Sequence, residues 1–496
     1  KSEIKYSRYN FNSSLNMKVT PTTNLKLNIK GNMADKNSPY VKSDDIFSAV
    51  FRIPAIQMPV IYPGDRVPFL STGGGLMNPL AELTKKGYRS TTHSKVMADL
   101  SLEQKLDFIT KGLSFKGMFA YDIENKTYLN RTRSYNTYWA DSRDENGELI
   151  IVQQGNSVDE YLKLERGTDK NQRKYYMEAA LNYNRTFADA HTVTGMLLFN
   201  RSDRSDLNSN SLTYSLPYRS QGLAGRATYS FKDRYMAEVN FGYNGSERFH
   251  KSKRFGFFPS AGLAWVVSNE SFWDPFKSVV SKLKLRASYG IVGNDAIGSG
   301  RFLYLSDINM NDSKYGANFG YNFDYHRDGI SVKRYSDPEI TWEKSAKTNF
   351  ALEFTLFDDL NVTAEYYTER RKSILQQRAS IPASMGLWVQ PYANLGEAKG
   401  SGVDLSLDYN KYFANKSWLQ LRGNFTYATS EYMVYEDYEY PGAWWKQKVG
   451  YPTNQTWGYI AEGLFVDDNE VANSPVQFGE YGAGDIKYRD VNKDGK

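Results

Sequence analysis

Three residues near the end of the chain have the types and spacing of calcium ligands. Asp490, Asn492 and Asp494 occupy positions one, three and five of an EF-hand-like loop, with Gly495 at position six. Hard oxygen ligands at that spacing, with a glycine for the sharp turn, can surround Ca²⁺. Positions nine and twelve would lie beyond Lys496, so this ligand set is incomplete. The sequence predicts either a loop braced by structural Ca²⁺ or an ordinary acidic turn.

A second group of candidate residues is aromatic and falls in segments that we place on the extracellular side of a membrane. It consists of Trp139, Trp388, Tyr435, Tyr438, Tyr440, Trp444 and Trp445. Aromatic faces suit stacking against sugar rings or packing against another protein, so these residues are candidate contacts for a substrate or a partner. Packing within the loops themselves is the alternative.

No group of residues in the sequence predicts catalysis. The absence of cysteine excludes a disulfide, a thiol nucleophile and a cysteine metal site. The run Gly73–Gly75 lacks the strand and helix that flank a phosphate-binding loop. The net charge of +6 is small for 496 residues, and no basic cluster indicates nucleic acid. The four histidines are scattered without metal-ligand spacing: His93, His191, His250 and His326. We therefore expect no enzyme and no required cofactor.

The elements that must position the candidate residues are strands, because polarity alternates with a period of two along much of the chain. In Lys282–Tyr289, Leu283 and Leu285 share one face, whereas Lys284 and Arg286 share the other. In a large membrane barrel the apolar face meets lipid and the charged face lines a wet lumen. We expect the following to face lipid: Leu283, Leu285, Phe350, Leu352 and Phe354. We expect Lys284, Arg286 and Glu353 to face the lumen.

About fourteen strands are predicted, each longer than is usual in a soluble domain. They are Arg8–Val19, Leu25–Met33, His93–Leu102, Leu113–Asp122, Arg173–Phe187, His191–Ser202, Leu223–Phe231, Arg234–Ser246, Phe255–Val267, Val280–Gly290, Lys344–Phe357, Leu360–Arg371, Gly402–Tyr412 and Trp418–Tyr432. With aromatics at 15%, mean hydropathy of −0.61 and no run of about 18 apolar residues, the sequence argues against a helical membrane protein.

Tight turns and long connections alternate between these strands. The tight turns are Pro21–Asn24, Ala188–Ala190, Lys232–Asp233, Asp358–Asp359 and Phe413–Ser417. The long connections are Ala34–Thr92, Ile123–Gln172, Asp203–Gly222, Ile291–Glu343 and Lys372–Ser401. Short hairpins on one side and long loops on the other are typical of an antiparallel outer-membrane β-barrel. The sequence therefore predicts an all-β transmembrane barrel in the bacterial outer membrane with long extracellular loops. A soluble all-β glycan-binding sandwich is the alternative.

Several segments, roughly in the second half of the chain, resemble the SusC-like (RagA-like) TonB-dependent transporters. The segments are Tyr229–Phe249, Arg254–Trp273, Lys282–Asp295, Ile340–Phe354, Ile381–Leu407, Gly450–Phe465 and Gly484–Lys496. Five or six such segments in order make the match specific. Before Tyr229 only the layout of strands and loops agrees with the family.

The resemblance implies a barrel of 22 strands, of which about fourteen are covered here. Residues 1–496 then form a partial barrel domain that lacks the N-terminal plug and the final strands. It also implies a SusD-like surface lipoprotein as partner, energy from TonB through a region outside this chain, and import of glycans or peptides. A surface scaffold or adhesion barrel that transports nothing is the alternative function.

Overall fold

The computed structural model describes residues 4–53, 58–69, 78–154, 159, 161–209, 211–298, 300–441 and 443–495. The run Gly73–Gly75 lies outside these residues. Strands make up most of the described chain, as the two-residue alternation predicts. Helices are short, and none in the described part of the chain is long and apolar enough to cross a membrane.

The strands are numbered in chain order. They are β1 (Lys5–Thr20), β2 (Thr23–Pro39), β3 (Val67–Pro68), β4 (Gly87–Lys105), β5 (Leu113–Thr132), β6 (Thr137–Arg143), β7 (Leu149–Gln154), β8 (Lys163–Phe187), β9 (His191–Asp206), β10 (Tyr218–Phe231), β11 (Tyr235–Ser246), β12 (Phe255–Val266), β13 (Val280–Asn294), β14 (Asp307–Phe319), β15 (Tyr325–Arg334), β16 (Glu343–Leu356), β17 (Leu360–Gln377), β18 (Tyr392–Tyr412), β19 (Trp418–Val434), β20 (Ala461–Leu464) and β21 (Ile486–Tyr488). The α-helices are α1 (Ser43–Arg52), α2 (Pro79–Thr84), α3 (Leu212–Ser215) and α4 (Asp468–Ala472).

Fourteen of these strands form one sheet in the order β1-β2-β4-β5-β8-β9-β10-β11-β12-β13-β16-β17-β18-β19. Each corresponds to one of the fourteen predicted strands, so the all-β antiparallel architecture is confirmed. Several strands run further into the long connections than predicted. β2 ends at Pro39 instead of Met33, and β18 begins at Tyr392 instead of Gly402. The prediction stopped early because polar residues occupy both faces of these strand ends, so the alternation on which it depended is lost.

The tight turns between strands have backbone conformations that force the chain to reverse. Lys232 and Asp233 have φ angles of 50° and 53°, and the N–H of Arg234 donates to the carbonyl of Phe231 at 2.9 Å. Two successive positive φ angles are the signature of the hairpin turn whose twist matches that of the flanking strands. The next such turn is Phe357–Asp358, one residue earlier than predicted, with φ angles of 53° and 60°.

The two faces of the sheet differ in chemistry as predicted. On the charged face, Glu353 of β16 accepts from Lys282 at 3.1 Å and from Arg286 of β13 at 2.9 Å. On the other face, Leu285 pairs with Leu352 across the same two strands, and both side chains remain more than a third exposed. An exposed apolar stripe of this kind is stable against lipid and costly against water.

By its internal contacts the chain forms two units. The first comprises Lys1–Asn182 and Leu198–Gln221. Two of its long connections, 40–86 and 133–162, contact each other through their described residues: Val67 of β3 pairs in parallel with Thr137 of β6. The phenol of Tyr135 also donates to Glu82 at 2.7 Å. Both connections therefore lie at the same edge of the strands of this unit.

The second unit comprises Tyr183–Leu197 and Gly222–Lys496. The connection between β13 and β16 contains the separate hairpin of β14 and β15, and it packs on its neighbours through a small apolar core. That core consists of Phe249, Phe258, Ile297, Leu303, Ile340 and Trp342. The connection between β17 and β18 joins the segment after β19 through Arg378, whose guanidinium donates to Glu436 at 2.7 Å. The long connections of this unit thus converge at one edge of its strands.

Candidate ligand-binding groove

A groove opens in the second unit within the segment that follows β19. Its walls are residues 440 and 444–460 on one side and residues 475–478 with 488–492 on the other, and its volume is about 1090 Å³. The hairpin of β20 and β21 joins the two walls, since Leu464 pairs with Ile486. A concave site of this size, lined mainly by aromatic side chains with a few polar groups, is typical of a small-molecule or oligomer site.

Backbone hydrogen bonds hold the walls of the groove together. The N–H of Arg489 donates to the carbonyl of Ile460 at 2.9 Å, which ties one wall to the other. The N–H of Val476 donates to the carbonyl of Gly495 at 2.9 Å, which ties the second wall to the acidic loop. Main-chain hydrogen bonds therefore fix the positions of the two walls and of the acidic loop relative to each other.

Three aromatic rings form a mutual cluster in the groove. The ring centroid of Tyr459 lies 4.8 Å from that of Phe478 and 5.1 Å from that of Tyr488. The rings of Phe478 and Tyr488 are nearly parallel, at 17°. Tyr459 nevertheless remains 70% exposed and Phe478 61% exposed. Because the rings brace one another at their contacts, their outer faces are held in place and stay open to a ligand.

Three of the predicted aromatic residues, Tyr440, Trp444 and Trp445, line this groove. Trp444 and Trp445 meet edge to face with centroids 5.9 Å apart. The phenol of Tyr440 donates to Asp437 at 3.1 Å, and this hydrogen bond raises the pKa of Tyr440. Tyr440 is therefore protonated at neutral pH and keeps its orientation at the mouth of the groove.

The remaining predicted aromatic residues lie outside the groove. Lys448 donates to the phenol of Tyr435 at 3.1 Å, which is an internal contact of the loop. Tyr438 is exposed. Trp388, between β17 and β18, meets Tyr315 edge to face at 4.7 Å. The structure thus divides the predicted cluster into residues that line the groove and residues that lie outside it.

Trp139 belongs to the first unit. It lies in β6 opposite Val152 of β7, and it is exposed. Its position in a long connection agrees with the predicted segment. No comparison or contact assigns it a ligand, so its role as a contact stays a prediction.

The acidic loop forms part of the second wall through Asp490 and Asn492. Both carboxylate oxygens of Asp490 accept backbone N–H groups, from Lys493 at 2.7 Å and from Gly495 at 2.8 Å. The amide of Asn492 donates to Asp494 at 2.6 Å. The side chains of Asn492 and Asp494 therefore contact each other, whereas the carboxylate of Asp490 is bound by the backbone of the same loop. In the described chain no set of three histidine, cysteine or acidic side chains is placed to hold a metal. Calcium binding here stays a prediction.

The sequence interpretation missed five aromatic residues of the groove: Tyr451, Trp457, Tyr459, Phe478 and Tyr488. Trp457 and Tyr459 flank Gly458, and Phe478 precedes Gly479. Tyr451 lies between Gly450 and Pro452. For these four residues, an aromatic side chain beside glycine or proline in a segment without alternation was the available signal. The sequence alone does not show that residues 457–459 lie next to residues 478 and 488, because their proximity depends on the pairing of β20 with β21.

Two of the cationic side chains that line the groove, Arg489 and Lys448, are paired with carboxylates. The guanidinium of Arg489 donates to Glu462 at 2.9 Å. Lys448 lies 3.5 Å from a carboxylate oxygen of Asp437, and its hydrogen bond to Tyr435 raises the pKa of the lysine. Lys446 lies over the ring of Tyr440, 5.8 Å from its centroid. The two other lining charges, Lys446 and Asp490, are opposite in sign, so the groove has no excess of either charge. Its remaining lining consists of aromatic rings and neutral groups.

Comparison with known proteins gives consistent matches. The family model described as "TonB dependent receptor-like, beta-barrel" matches residues 61–493. TonB-dependent receptor P39 of Formosa agariphila is 27% identical over 324 residues, covering 60% of this chain and 30% of that protein. TonB-dependent receptor SusC of Bacteroides thetaiotaomicron is 28% identical over 207 residues, covering 42% of this chain and 20% of that protein.

Among solved structures, the RagAB peptide importer in the 'closed-closed' state superposes with a TM-score of 0.67 at 19% identity. The alignment covers 98% of this chain and 54% of that chain. The chain thus spans less than a third of the length of the two curated relatives and about half of the solved one.

Proposed function

The chain belongs to the family of TonB-dependent receptor-like β-barrels, and we propose that the protein containing it imports oligosaccharides or peptides across the outer membrane. The family is one of outer-membrane receptors and transporters, as the layout of strands and loops predicts, and not one of enzymes. This membership excludes the soluble sandwich. In the proposal the chain supplies the barrel of a SusC/SusD-type complex, and TonB acts through a region outside these residues.

The observation that carries the proposal is the arrangement of the second unit. Its strands have one charged face and one apolar face, and its long connections converge at a single edge. The aromatic groove lies in the segment that leaves the same edge after β19. A site at the loop end of a barrel is where a substrate arriving from outside would first be bound.

Uptake by intact cells tests the proposal. The gene is deleted in its native bacterium, and accumulation of fluorescent oligosaccharides and peptides is compared with that of the parent strain. We expect uptake of one class to fall to background in the deletion strain, to return with the full-length gene, and to be lost when TonB is depleted. Unchanged uptake of both classes would favour the scaffold alternative.

For the partner, we propose that a SusD-like lipoprotein contacts the outward loops. Trp388 and Tyr438 are exposed aromatics on two of them, and aromatics are enriched where proteins meet. The test is purification of the full-length protein from outer membranes in mild detergent, with photo-cross-linkers introduced at these two positions. A stoichiometric lipoprotein cross-linked at both supports the complex. A barrel that purifies alone contradicts it.

We also propose that Ca²⁺ braces the acidic loop through Asp490, Asn492 and Asp494. The donor set is of hard oxygens, which suits this ion. The test is calorimetric titration of the chelator-treated full-length protein with Ca²⁺ and with Mg²⁺, beside Asp490→Asn. Saturable Ca²⁺ binding lost in the variant supports the site. Equal heats for the two proteins contradict it.

A further inference from the structure

The lining of the groove after β19 suits one of the two proposed substrate classes, oligosaccharides, better than the other, peptides. We propose that it is a binding site for neutral oligosaccharides, with Tyr459 and Phe478 as stacking platforms. This inference rests on the proposed import function and decides between the two classes that the function leaves open. Three properties of the groove carry it: its ring faces, its strand edge and its charge.

The ring faces suit flat, weakly polar ligands. A sugar ring presents a face of C–H groups, which packs on an aromatic face, and hydroxyl groups at its rim, which need polar neighbours. In the groove, the cluster of Tyr459, Phe478 and Tyr488 supplies braced rings with open faces. Trp457 is half-exposed, and its ring centroid lies 6.2 Å from that of Tyr451. These two rings extend the aromatic lining of the groove. Several platforms in one groove suit an oligomer rather than a single sugar.

The strand edge in the groove is not open to a peptide. Extended peptides commonly bind by pairing with a free strand edge. Here the edge of β21 is already occupied by the side chain of Gln477. Its amide N–H donates to the carbonyl of Ile486 at 2.9 Å, and its amide oxygen accepts from the N–H of Tyr488 at 2.6 Å. Gln477 thus satisfies the main-chain groups with which a peptide backbone would pair.

The charge of the groove is compensated. Arg489 is paired with Glu462, and Lys448 with Asp437. Of the other two lining charges, Lys446 lies over Tyr440, and the carboxylate of Asp490, opposite in sign, accepts two backbone N–H groups. A site for a charged ligand needs an excess of the opposite charge, and the cations and carboxylates of this groove balance one another. The groove therefore favours a neutral oligosaccharide over a peptide with charged termini or an acidic glycan.

Binding measurements on the full-length protein, purified with any partner it retains, test this inference. The probes are an array of neutral glycans, an array of uronic-acid oligosaccharides and a tryptic digest of casein. We expect wild-type protein to bind a subset of neutral glycans. Tyr459→Ala and Phe478→Ala should each weaken that binding on the order of tenfold, because each removes a stacking face. Tyr459→Phe keeps the ring and should bind like wild type.

The matched control is Tyr321→Ala, which removes a fully exposed tyrosine between β14 and β15, outside the groove. It should leave binding unchanged. Heat-modifiable migration in electrophoresis verifies that every variant is folded. Binding of no neutral glycan, equal binding by Tyr459→Ala and wild type, or tight binding of peptides weakened by the same variants would each overturn the inference.

Failure here is distinguishable from failure of import. If cells take up peptides in a TonB-dependent manner and the groove variants do not alter that uptake, the import function stands and the oligosaccharide site is wrong. If the purified protein binds neutral glycans through Tyr459 and Phe478 but cells lacking the gene import them normally, the site stands and the import function is wrong.

Discussion

Two regions of the second unit, the sheet of β13 and β16 and the groove after β19, both contain charged side chains but arrange them differently. On the sheet formed by β13 and β16, charged groups are concentrated: Glu353 has three cationic neighbours, the farthest being Lys284 at 4.0 Å. In the groove after β19, Arg489 and Lys448 are each paired with one carboxylate, and aromatic rings form much of the open surface. The sheet uses charge to hold strands together, whereas the groove neutralises charge and leaves ring faces free.

The difference teaches where specificity resides. A residue in the sheet is constrained by both faces of its strand, since one face must suit lipid and the other a wet interior. A residue in the groove is constrained by a few main-chain hydrogen bonds that shape the walls. Changes in the sheet should therefore alter stability, and changes in the groove should alter binding while stability stays nearly constant.

The largest effect on stability should come from a charge on the apolar face. Leu352→Arg, if the position is near mid-bilayer, should lower the free energy of unfolding by about 2–4 kcal/mol. The matched control is Lys284→Ser on the opposite face, which should be nearly neutral because the Lys284–Glu353 contact is the longest of the three. Urea unfolding of the full-length protein in lipid vesicles measures both. Equal sensitivity at the two positions would contradict the assignment of the faces.

A smaller effect should follow loss of the shared anion. Glu353→Ala leaves three cations without their common partner and should cost about 1–2 kcal/mol, since hydrogen bonds to charged groups are strong but partly screened by water here. The control is Glu431→Ala, which removes a more exposed pair with Lys399 at 2.7 Å. The same unfolding assay should show the control within about 0.5 kcal/mol of wild type. A larger loss for the control would contradict a special role for Glu353.

These contrasts also explain which features could be predicted from the sequence. The fourteen strands were predictable because each alternates over many residues, as in the stretch that contains Leu283 and Lys284. The faces followed directly, and the structure confirms that Glu353 shares a face with Lys284 and Arg286. The long connections were predictable in their order along the chain, because they alternate with the tight turns, but not in their bounds or their internal structure.

The groove was predictable only in part. Tyr440, Trp444 and Trp445 were found because they cluster in the sequence. Tyr459 and Phe478 meet only because β20 and β21 pair, and strands of four and three residues are too short to show alternation. α2 was also missed, although Asn78 before Pro79 is a helix-start signal: the Asn78 side chain accepts from the N–H of Ala81 at 3.0 Å.

A local effect is expected where two long connections are joined. Burial alone would raise the pKa of Glu436, but hydrogen bonds from Ser380 and Arg378 outweigh it and lower the pKa. The pKa of Glu436 is lower when the two connections are joined than when they are apart. The contact therefore stabilises the joined state fully at pH values above the ordinary glutamate pKa, and this stabilisation is lost as the pH falls through the lowered pKa. Acidification from the ordinary glutamate pKa down through the lowered value should therefore release the connection 378–391.

Limited proteolysis measures that release. The connection should become cleavable at low pH with pepsin, and Glu436→Gln should make it cleavable near neutral pH with trypsin, while the unfolding free energy of the sheet changes by less than about 1 kcal/mol. Glu439→Gln, three residues away, is the control and should leave cleavage unchanged. If acid or Glu436→Gln exposes the sheet strands as readily as the connection, the loops and the sheet are not independent in stability.

The smallest effect should come from the tight turn between β16 and β17. Asp358 has a φ of 60°, a conformation that glycine adopts without strain and most other residues do not. Asp358→Gly relieves that strain but loosens the unfolded chain, so its unfolding free energy should lie within about 0.5 kcal/mol of wild type. Asp358→Ala keeps the positive φ but lacks the short polar side chain that makes this conformation accessible to aspartate. Its free energy of unfolding should be about 1 kcal/mol lower than that of Asp358→Gly. Neither variant should change glycan binding by the groove, and a shared loss of binding would show that the turn and the groove are coupled.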